Sequence, residues 1–239
     1  MQISNRLKTL ADMVTKGSTV ADVGCDHAYV SIYLMDRKIA KEVIAMDINK
    51  GPLQKARENI ESQHLSDRIK TKLSDGLMEL SPGDVDAILI AGMGGALTVN
   101  ILSAREDVVK QVKEMILSPH SEIFLVREYL RTHGFTIVKE QMVKEGGKYY
   151  TMIKALRSKE EDSQSEEPDP LRQSLFDRYG KYLLEEKNPV LNEYLHVELT
   201  KRMNVRKHLL RKTQEYQQRI IELENDIKIL EGGLSYYDL

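Results

Sequence analysis

The sequence predicts an α/β fold, a seven-stranded and mostly parallel sheet flanked by helices, followed by a wholly helical C-terminal part. Three observations predict it. Over residues 19–117, short apolar runs alternate with amphipathic stretches of helical period, and such alternation requires crossover connections, hence parallel strands covered on both faces. Over residues 136–156, two strand-like runs flank Glu145-Gly146-Gly147-Lys148, a hairpin signal that adds an antiparallel strand. Beyond Arg157 nothing alternates with period two, and apolar residues recur at helical spacing instead.

Taken in order, Leu7, Leu10 and Val14 open the chain on one helical face. Residues 19–24 read as the first strand, 28–35 as a helix, 42–47 as the second strand and about 52–63 as a helix, where Pro52 near the first turn fits its preset φ. Residues 69–73, 86–91 and 114–117 are further strands, each followed by a turn signal, and 136–143 and 149–156 complete the seven. In the tail, Leu171, Leu175, Tyr179, Tyr182 and Leu183 share a face, and Asn188-Pro189 marks a stop and restart. One long helix is then expected over about 190–230. Leu209, Thr213, Tyr216, Ile220, Leu223, Ile227 and Leu230 form a coiled-coil seam along it, and Gly232-Gly233 ends it. A helix of this length must pack, most simply back against the helices of residues 171–187.

The 239 residues exceed one ordinary domain of ~150 residues but fall short of two. Apolar residues at 41% suffice for a packed core, and 30% charged residues place the protein in water. No stretch approaches the roughly 18–20 apolar residues of a membrane span, and Met1 leads into polar Gln2, Ser4 and Asn5, so a cytoplasmic protein without membrane contact is expected. A lone cysteine, Cys25, cannot form an internal disulfide, and six scattered histidines lack metal-ligand spacing, so no metal is expected. Between Glu160 and Asp169 stand six acids and no base, followed by Pro170. Such a segment repels itself and cannot extend a helix. The expected organisation is a catalytic domain over 1–157, an acidic linker over 158–170 and a helical coiled-coil domain over 171–239.

In an open parallel sheet, ligands bind beyond the carboxyl ends of the strands, where the strand order reverses. After the first strand comes Asp22-Val-Gly24-Cys-Asp26-His27-Ala28-Tyr29. Gly24 permits a tight turn and close backbone approach, which an ordinary strand-to-helix turn would equally use, while carboxylates at Asp22 and Asp26 favour a ligand with positive charge and hydroxyl donors. A pyrophosphate would be repelled, and Asp26 stands where the dinucleotide fingerprint has its second glycine. Asp47, followed by Ile48 and Asn49, is placed to accept from both hydroxyls of a ribose. Asp75, in Ser74-Asp75-Gly76, suits an adenine amino group, and Ala91-Gly92-Met93-Gly94-Gly95 offers a nearly side-chain-free floor, or merely close packing. Acids after three strands and a glycine floor describe a site for an adenosine with a cationic tail, S-adenosylmethionine.

The run Asp22-Val-Gly-Cys-Asp-His-Ala-Tyr29, the Met46-Asp47 strand end, Ser74-Asp75-Gly76-Leu77 and Ala91-Gly-Met-Gly-Gly95, with the helical tail, resemble the bacterial TrmK family. That family comprises tRNA (adenine-N1)-methyltransferases acting on adenosine 22 in the D-arm. The resemblance implies a class I methyltransferase (Rossmann-like) domain that holds S-adenosylmethionine along the strand ends, and a coiled-coil C-terminal domain. Asp26 and Ala28 replace two glycines of the general class I motif. The Asp/Asn-Pro-Pro-aromatic loop of enzymes that methylate exocyclic amino groups is absent, its place taken by residues 91–95. This agrees with a ring-nitrogen target, because N1 of adenine carries an in-plane lone pair and needs no base. Candidate catalytic residues are Asp26, to stabilise the cationic product base, and Tyr29, to stack on or hydrogen-bond to it. Each has a plainer alternative, a helix cap for Asp26 and a packed aromatic for Tyr29. His27 is a structural or cofactor contact rather than a base. The paired target must be flipped out, or its helix locally opened.

The net charge of −2 conceals a local excess: Lys201, Arg202, Arg206, Lys207, Arg211 and Lys212 stand together with no acid between Thr200 and Lys212. A solvated helix face is the plain reading, and an RNA-binding surface the sharper one, which Arg6 and Lys8 would extend. Two other functions remain open at this point, a small-molecule methyltransferase with a dimerising tail and an RNA-binding adaptor with an inactive cofactor pocket. A monomer or weak dimer is expected.

Overall fold

A computed structural model describes residues 3–158, 169–210 and 216–238. The chain divides into two compact units, Met1–Ser165 and Glu166–Leu239. The expected linker lies almost wholly outside the described residues.

The first unit runs α1 (Asn5–Ala11), β1 (Thr19–Val23), α2 (Tyr29–Asp36), β2 (Glu42–Asp47), α3 (Lys50–Ser62), β3 (Ile69–Leu73), β4 (Ala87–Ala91), α4 (Gly95–Ser103), α5 (Glu106–Val109), β5 (Glu114–Ser118), α6 (Ile123–Thr132), β6 (Phe135–Glu145) and β7 (Lys148–Arg157). The strands form one sheet in the order β3-β2-β1-β4-β5-β7-β6. β7 runs antiparallel to both of its neighbours, and the other pairings are parallel. The order reverses at β1, which lies between β2 and β4 and so opens a crevice at its carboxyl end.

Period-two alternation sorts each strand between two cores. Val20, Val43, Ala45, Leu89 and Ile116 pack with Leu10, Ile32, Leu34, Leu53 and Ile60 of α1, α2 and α3. Their neighbours Ala21, Val23, Met46, Ile88, Ile90 and Leu117 face the other way, toward Leu77, Leu102, Val109, Val126 and Leu130. Strands buried on both faces read as continuous apolar runs, as β4 does with Ala-Ile-Leu-Ile-Ala. Glu114 is buried at the start of β5, where it accepts from the Thr15 amide at 2.8 Å and hydroxyl at 2.6 Å and pairs with Lys154 at 3.0 Å. These bonds tie the chain entering β1 to the middle of the sheet.

The second unit is helical: α7 (Pro170–Tyr179), α8 (Lys181–Glu185), α9 (Pro189–Leu209) and α10 (Gln217–Leu234). Asp169 caps α7, accepting from Leu171 N–H at 3.0 Å, and Asn188 caps α9, accepting from Val190 N–H at 3.0 Å; proline follows each cap at the first helical position. Two expectations are corrected here. The single helix over 190–230 is two, for α9 ends at Leu209 and α10 begins at Gln217. Arg202 lies 3.4 Å from Asp226 and Arg206 2.7 Å from Glu224, pairs that one straight helix would separate by about 36 and 27 Å at ~1.5 Å per residue. The helices therefore run antiparallel, and folding back buries Leu191 and Leu195 of α9 and Leu223 and Leu230 of α10. Thr213 of the expected seam lies outside the described residues. Gly232 and Gly233, moreover, do not end the helix, which continues to Leu234. A Cβ at Gly232 would sit 3.3 Å from Leu175, and one at Gly233 3.2 Å from Tyr179, so these glycines let α7 pack closely against α10.

Candidate active site

The acids that the sequence places after successive strands converge at the carboxyl ends of β1, β2 and β3. Asp47, the last residue of β2, is 8% exposed. Its Oδ1 accepts from Asn49 N–H at 2.8 Å and its Oδ2 from Asp26 N–H at 3.3 Å. A carboxylate offers about four lone-pair positions, so two acceptor positions on a fixed group remain for a ligand. Gly24 and Cys25 both donate to Met46 O, at 2.8 and 2.9 Å, which lays the turn after β1 across the end of β2. This turn needs Gly24 at φ +75°, and it holds Asp26 (φ 50°) and Ala28 (φ 59°) in the left-handed region as well. Two such non-glycine residues within three positions store strain of about 1–3 kcal/mol each, which persists only where the surroundings impose it. Asn59 Nδ2 imposes part of it by donating to His27 O at 2.9 Å.

Asp22, expected among the cofactor contacts, lies inside the fold. It is buried, and its Oδ2 accepts from Ser31 Oγ of α2 at 2.6 Å. Burial raises its pKa to about 6 from 3.8; the Ser31 bond works against this rise, and the Asp47 charge adds to it. Burial likewise pushes the Cys25 thiol far up, which leaves it unreactive. Asp26, by contrast, is exposed, with its Oδ1 3.4 Å from His27 Nε2. It does not cap α2, whose N-cap is Ala28 with no side-chain bond. Tyr29 is 36% exposed, and its ring lies 5.5 Å from that of His27. His27 Nδ1 is buried and has no hydrogen-bond partner among the described residues. Asp26, His27 and Tyr29 thus form one rim of the crevice.

On the other side of Asp47, Ile48 is 59% exposed at the exit of β2, an apolar side chain that the fold leaves uncovered. Asp75 is exposed after β3, and Ser74 N–H donates to Asp47 O at 2.9 Å, which joins the two loops. Gly76 is at φ +54°, where an added Cβ would lie 2.8 Å from Ile101. The glycine floor divides in use. At Gly95 a Cβ would collide with Glu122 O and come within 2.6 Å of Ser121 O, so this glycine serves packing against the loop after β5. Gly92, at φ +83°, is exposed and leaves open backbone beside Ala91 and Met93.

Sequence reasoning missed His120 and Tyr150. His120 N–H donates to Met93 O at 2.8 Å, which sets the loop after β5 on the glycine floor. Its Nε2 lies 2.7 Å from Arg6 Nη1, and its ring packs edge-on at 5.4 Å against Tyr150, over which the Arg6 guanidinium also lies at 4.6 Å. The available signal was topological: β7 is antiparallel, so its first residues stand beside the carboxyl end of β5.

Three of the four described bases of the second unit's cluster are matched by acids. Lys201 and Arg202 pair with Glu198, Arg202 also with Asp226, and Arg206 with Glu224. Lys207 is exposed in the last turn of α9, and Arg211 and Lys212 lie outside the described residues. Among the described residues no group of three or more His, Cys, Asp or Glu is arranged to hold a metal ion, and no helix is long and apolar enough to cross a membrane.

A site built of carboxylates, exposed Ile48 and an open glycine floor at the reversal of strand order fits S-adenosylmethionine, and the comparisons with known proteins agree. The methyltransferase-domain family profile matches residues 3–153. The tRNA (adenine(22)-N(1))-methyltransferase of Bacillus subtilis (strain 168) is 30% identical over 238 residues, covering 99% of this chain and 98% of that protein. The chain belongs to the tRNA (adenine(22)-N(1))-methyltransferase family. Solved structures within this family share its whole architecture. The B. subtilis methyltransferase TrmK is 30% identical with a TM-score of 0.85, covering 98% of this chain and 99% of that one. Streptococcus pneumoniae Sp1610, in complex with S-adenosyl-L-methionine, is 30% identical with a TM-score of 0.84, covering 98% and 100%.

Proposed function

We propose that this protein transfers a methyl group from S-adenosylmethionine to N1 of adenosine 22 in tRNA. The observation that carries this reading is 30% identity across 99% of the chain to a protein named for that reaction, combined with a crevice whose acids suit an adenosine bearing a positive charge. When bound, S-adenosylmethionine supplies an electrophilic methyl group on a sulfonium sulfur.

The residues divide the work of holding it. Asp47, fixed by two backbone amides, accepts from the ribose hydroxyls. Ile48 covers the purine, and Asp75 accepts from its amino group. Gly24, Gly76, Ala91, Gly92 and Met93 let the backbone approach, and His27 closes the rim. Asp22 adds a buried negative charge that favours a sulfonium nearby. On the acceptor side, Asp26 and Tyr29 face the base: a carboxylate stabilises the positive charge that N1 methylation creates, and the ring orients the purine. The lone pair of N1 is already nucleophilic, so the protein contributes alignment and exclusion of water rather than a general base.

For the RNA, Lys207, Arg211 and Lys212 are the phosphate contacts, with Lys201, Arg202 and Arg206 contributing to the extent that their acidic partners release them, and Arg6 contributing from the first unit. The α9–α10 pair closes within one chain, which favours a monomer. A tRNA substrate puts the enzyme in the cytoplasm. The test is methyl transfer from labelled S-adenosylmethionine to bulk tRNA lacking this modification. Incorporation into RNA is expected, and incorporation into small-molecule acceptors alone would refute the reading.

A further inference from the structure

The acid row occupies only half of the crevice. Asp75, Asp47 and the Asp22–Asp26 turn follow β3, β2 and β1, and the sheet then continues through β4, β5 and β7, where the chemistry changes sign. Here stand Arg6, His120, Lys148 and Tyr150. Arg6 is brought in by Glu145 at the end of β6, which accepts from Asn5 N–H at 2.9 Å and Arg6 N–H at 3.5 Å. A guanidinium can only donate, so Nε2 of His120, 2.7 Å away, must be the acceptor and the proton must sit on Nδ1. Burial, then the charges of Arg6 and Lys148, lower the His120 pKa and favour this neutral form. Arg6 and Tyr150 are half-buried and His120 is exposed, with the His120 ring Cε1 3.8 Å from where a Cβ at Gly92 would stand. An aromatic ring partly covered by a cation, with a neutral imidazole at its edge beside open backbone, matches a nucleotide: the uncovered part of the ring receives a base and the cation a phosphate.

We propose that Arg6, His120 and Tyr150 seat the nucleotide to be methylated, with Tyr150 packing on the flipped base, Arg6 contacting its phosphate and His120 holding both side chains in register. The assignment rests on the tRNA methyltransferase reading above. Two features place the acceptor's phosphate and the far side of its base on this half, while Asp26 and Tyr29 meet the base from the turn after β1. Phosphates are repelled by Asp22, Asp47 and Asp75 on the other, and the glycine floor between the halves carries only the side chains of Ala91 and Met93, the latter directed to Gly24. Arg6 is assigned the phosphate because a guanidinium against the methylated base, itself a cation, would oppose the reaction.

Steady-state methylation of a tRNA transcript by the full chain, alongside equilibrium binding of S-adenosylmethionine, tests this assignment. Tyr150→Ala should lower kcat/KM for tRNA by about ten- to a hundredfold, the range of one lost base–aromatic contact, with cofactor affinity within twofold of wild type. Tyr150→Phe keeps the ring and should return kcat/KM to within about threefold. Arg6→Gln should raise KM for tRNA and flatten the log–log salt dependence of tRNA binding by about one unit. Unchanged tRNA kinetics in Tyr150→Ala, or cofactor affinity falling in step with them, would overturn the assignment while leaving the function intact. A wild-type protein that leaves tRNA unmethylated would overturn both.

Discussion

The hydroxyl of Ser31 donates to Oδ2 of Asp22 at 2.6 Å, with both residues buried between α2 and the end of β1. A single hydrogen bond does not offset the loss of water around a carboxylate, and the pKa of Asp22 stands at about 6 rather than 3.8. For an acid raised in the folded state, the stability contribution is fully present below pH 3.8 and is lost as pH rises through about 6. Ionised Asp22 is thus held at neutral pH at the expense of about 3 kcal/mol of folding free energy. Asp22→Asn should raise the melting temperature at pH 8 more than at pH 4.5, as a pair of thermal melts would measure.

The same charge should favour a cationic ligand. Affinity for S-adenosylmethionine is expected to rise between pH 5 and 7 as Asp22 ionises, and Asp22→Asn should weaken binding and flatten that rise. Calorimetric titrations at three pH values decide this. A pH dependence that survives in the variant would assign it to another group.

Asp47 joins three loops, since it binds the amides of Asn49 and Asp26 through its carboxylate and that of Ser74 through its carbonyl. Asp47→Ala should weaken cofactor binding at least tenfold, on the scale of lost hydrogen bonds to a charged group, without altering tRNA affinity. Equal losses in separate cofactor and tRNA binding measurements would contradict the division of labour.

Gly95 and Gly51 should respond to alanine to very different degrees. A Cβ at Gly95 meets the backbone of Ser121 and Glu122, which cannot yield, whereas at Gly51 in α3 nothing lies within 4 Å. Gly95→Ala should destabilise by about 1–3 kcal/mol through overpacking, whereas Gly51→Ala, in the first turn of α3 and directly before Pro52, should change stability by less than about 0.5 kcal/mol, because the helix-propensity gain is offset by the restriction that proline places on the preceding residue. Denaturant melts of the two variants provide the comparison.

Glu224 restrains Arg206 in a partly exposed pair. Glu224→Gln should release that guanidinium, tighten tRNA binding at low salt and steepen its log–log salt dependence by about 0.9. Filter binding across a salt series measures this.

Most of the first unit was legible because its signals are local. Strand runs such as Ala87–Ala91, the hairpin glycines Gly146 and Gly147, and the acids at strand ends each lie within a few residues of what they specify. The second unit was less so: an apolar seam looks the same in one long helix and in two that fold back, and only tertiary pairs such as Arg206 with Glu224 tell them apart. The acid partners of Lys201, Arg202 and Arg206 were also hidden, because those carboxylates come from one turn upstream and from α10. The burial of Asp22 and the meeting of Arg6 with His120, 114 residues later, depend on strand order and had no local signature.

The most direct measurement is nucleoside mass spectrometry of unmodified tRNA incubated with the protein and S-adenosylmethionine, run beside a transcript carrying guanosine at position 22. One 1-methyladenosine per tRNA, lost in the substituted transcript, is the predicted result. Methylation at another nucleotide, at an exocyclic amino group, or undiminished by the substitution would contradict the account.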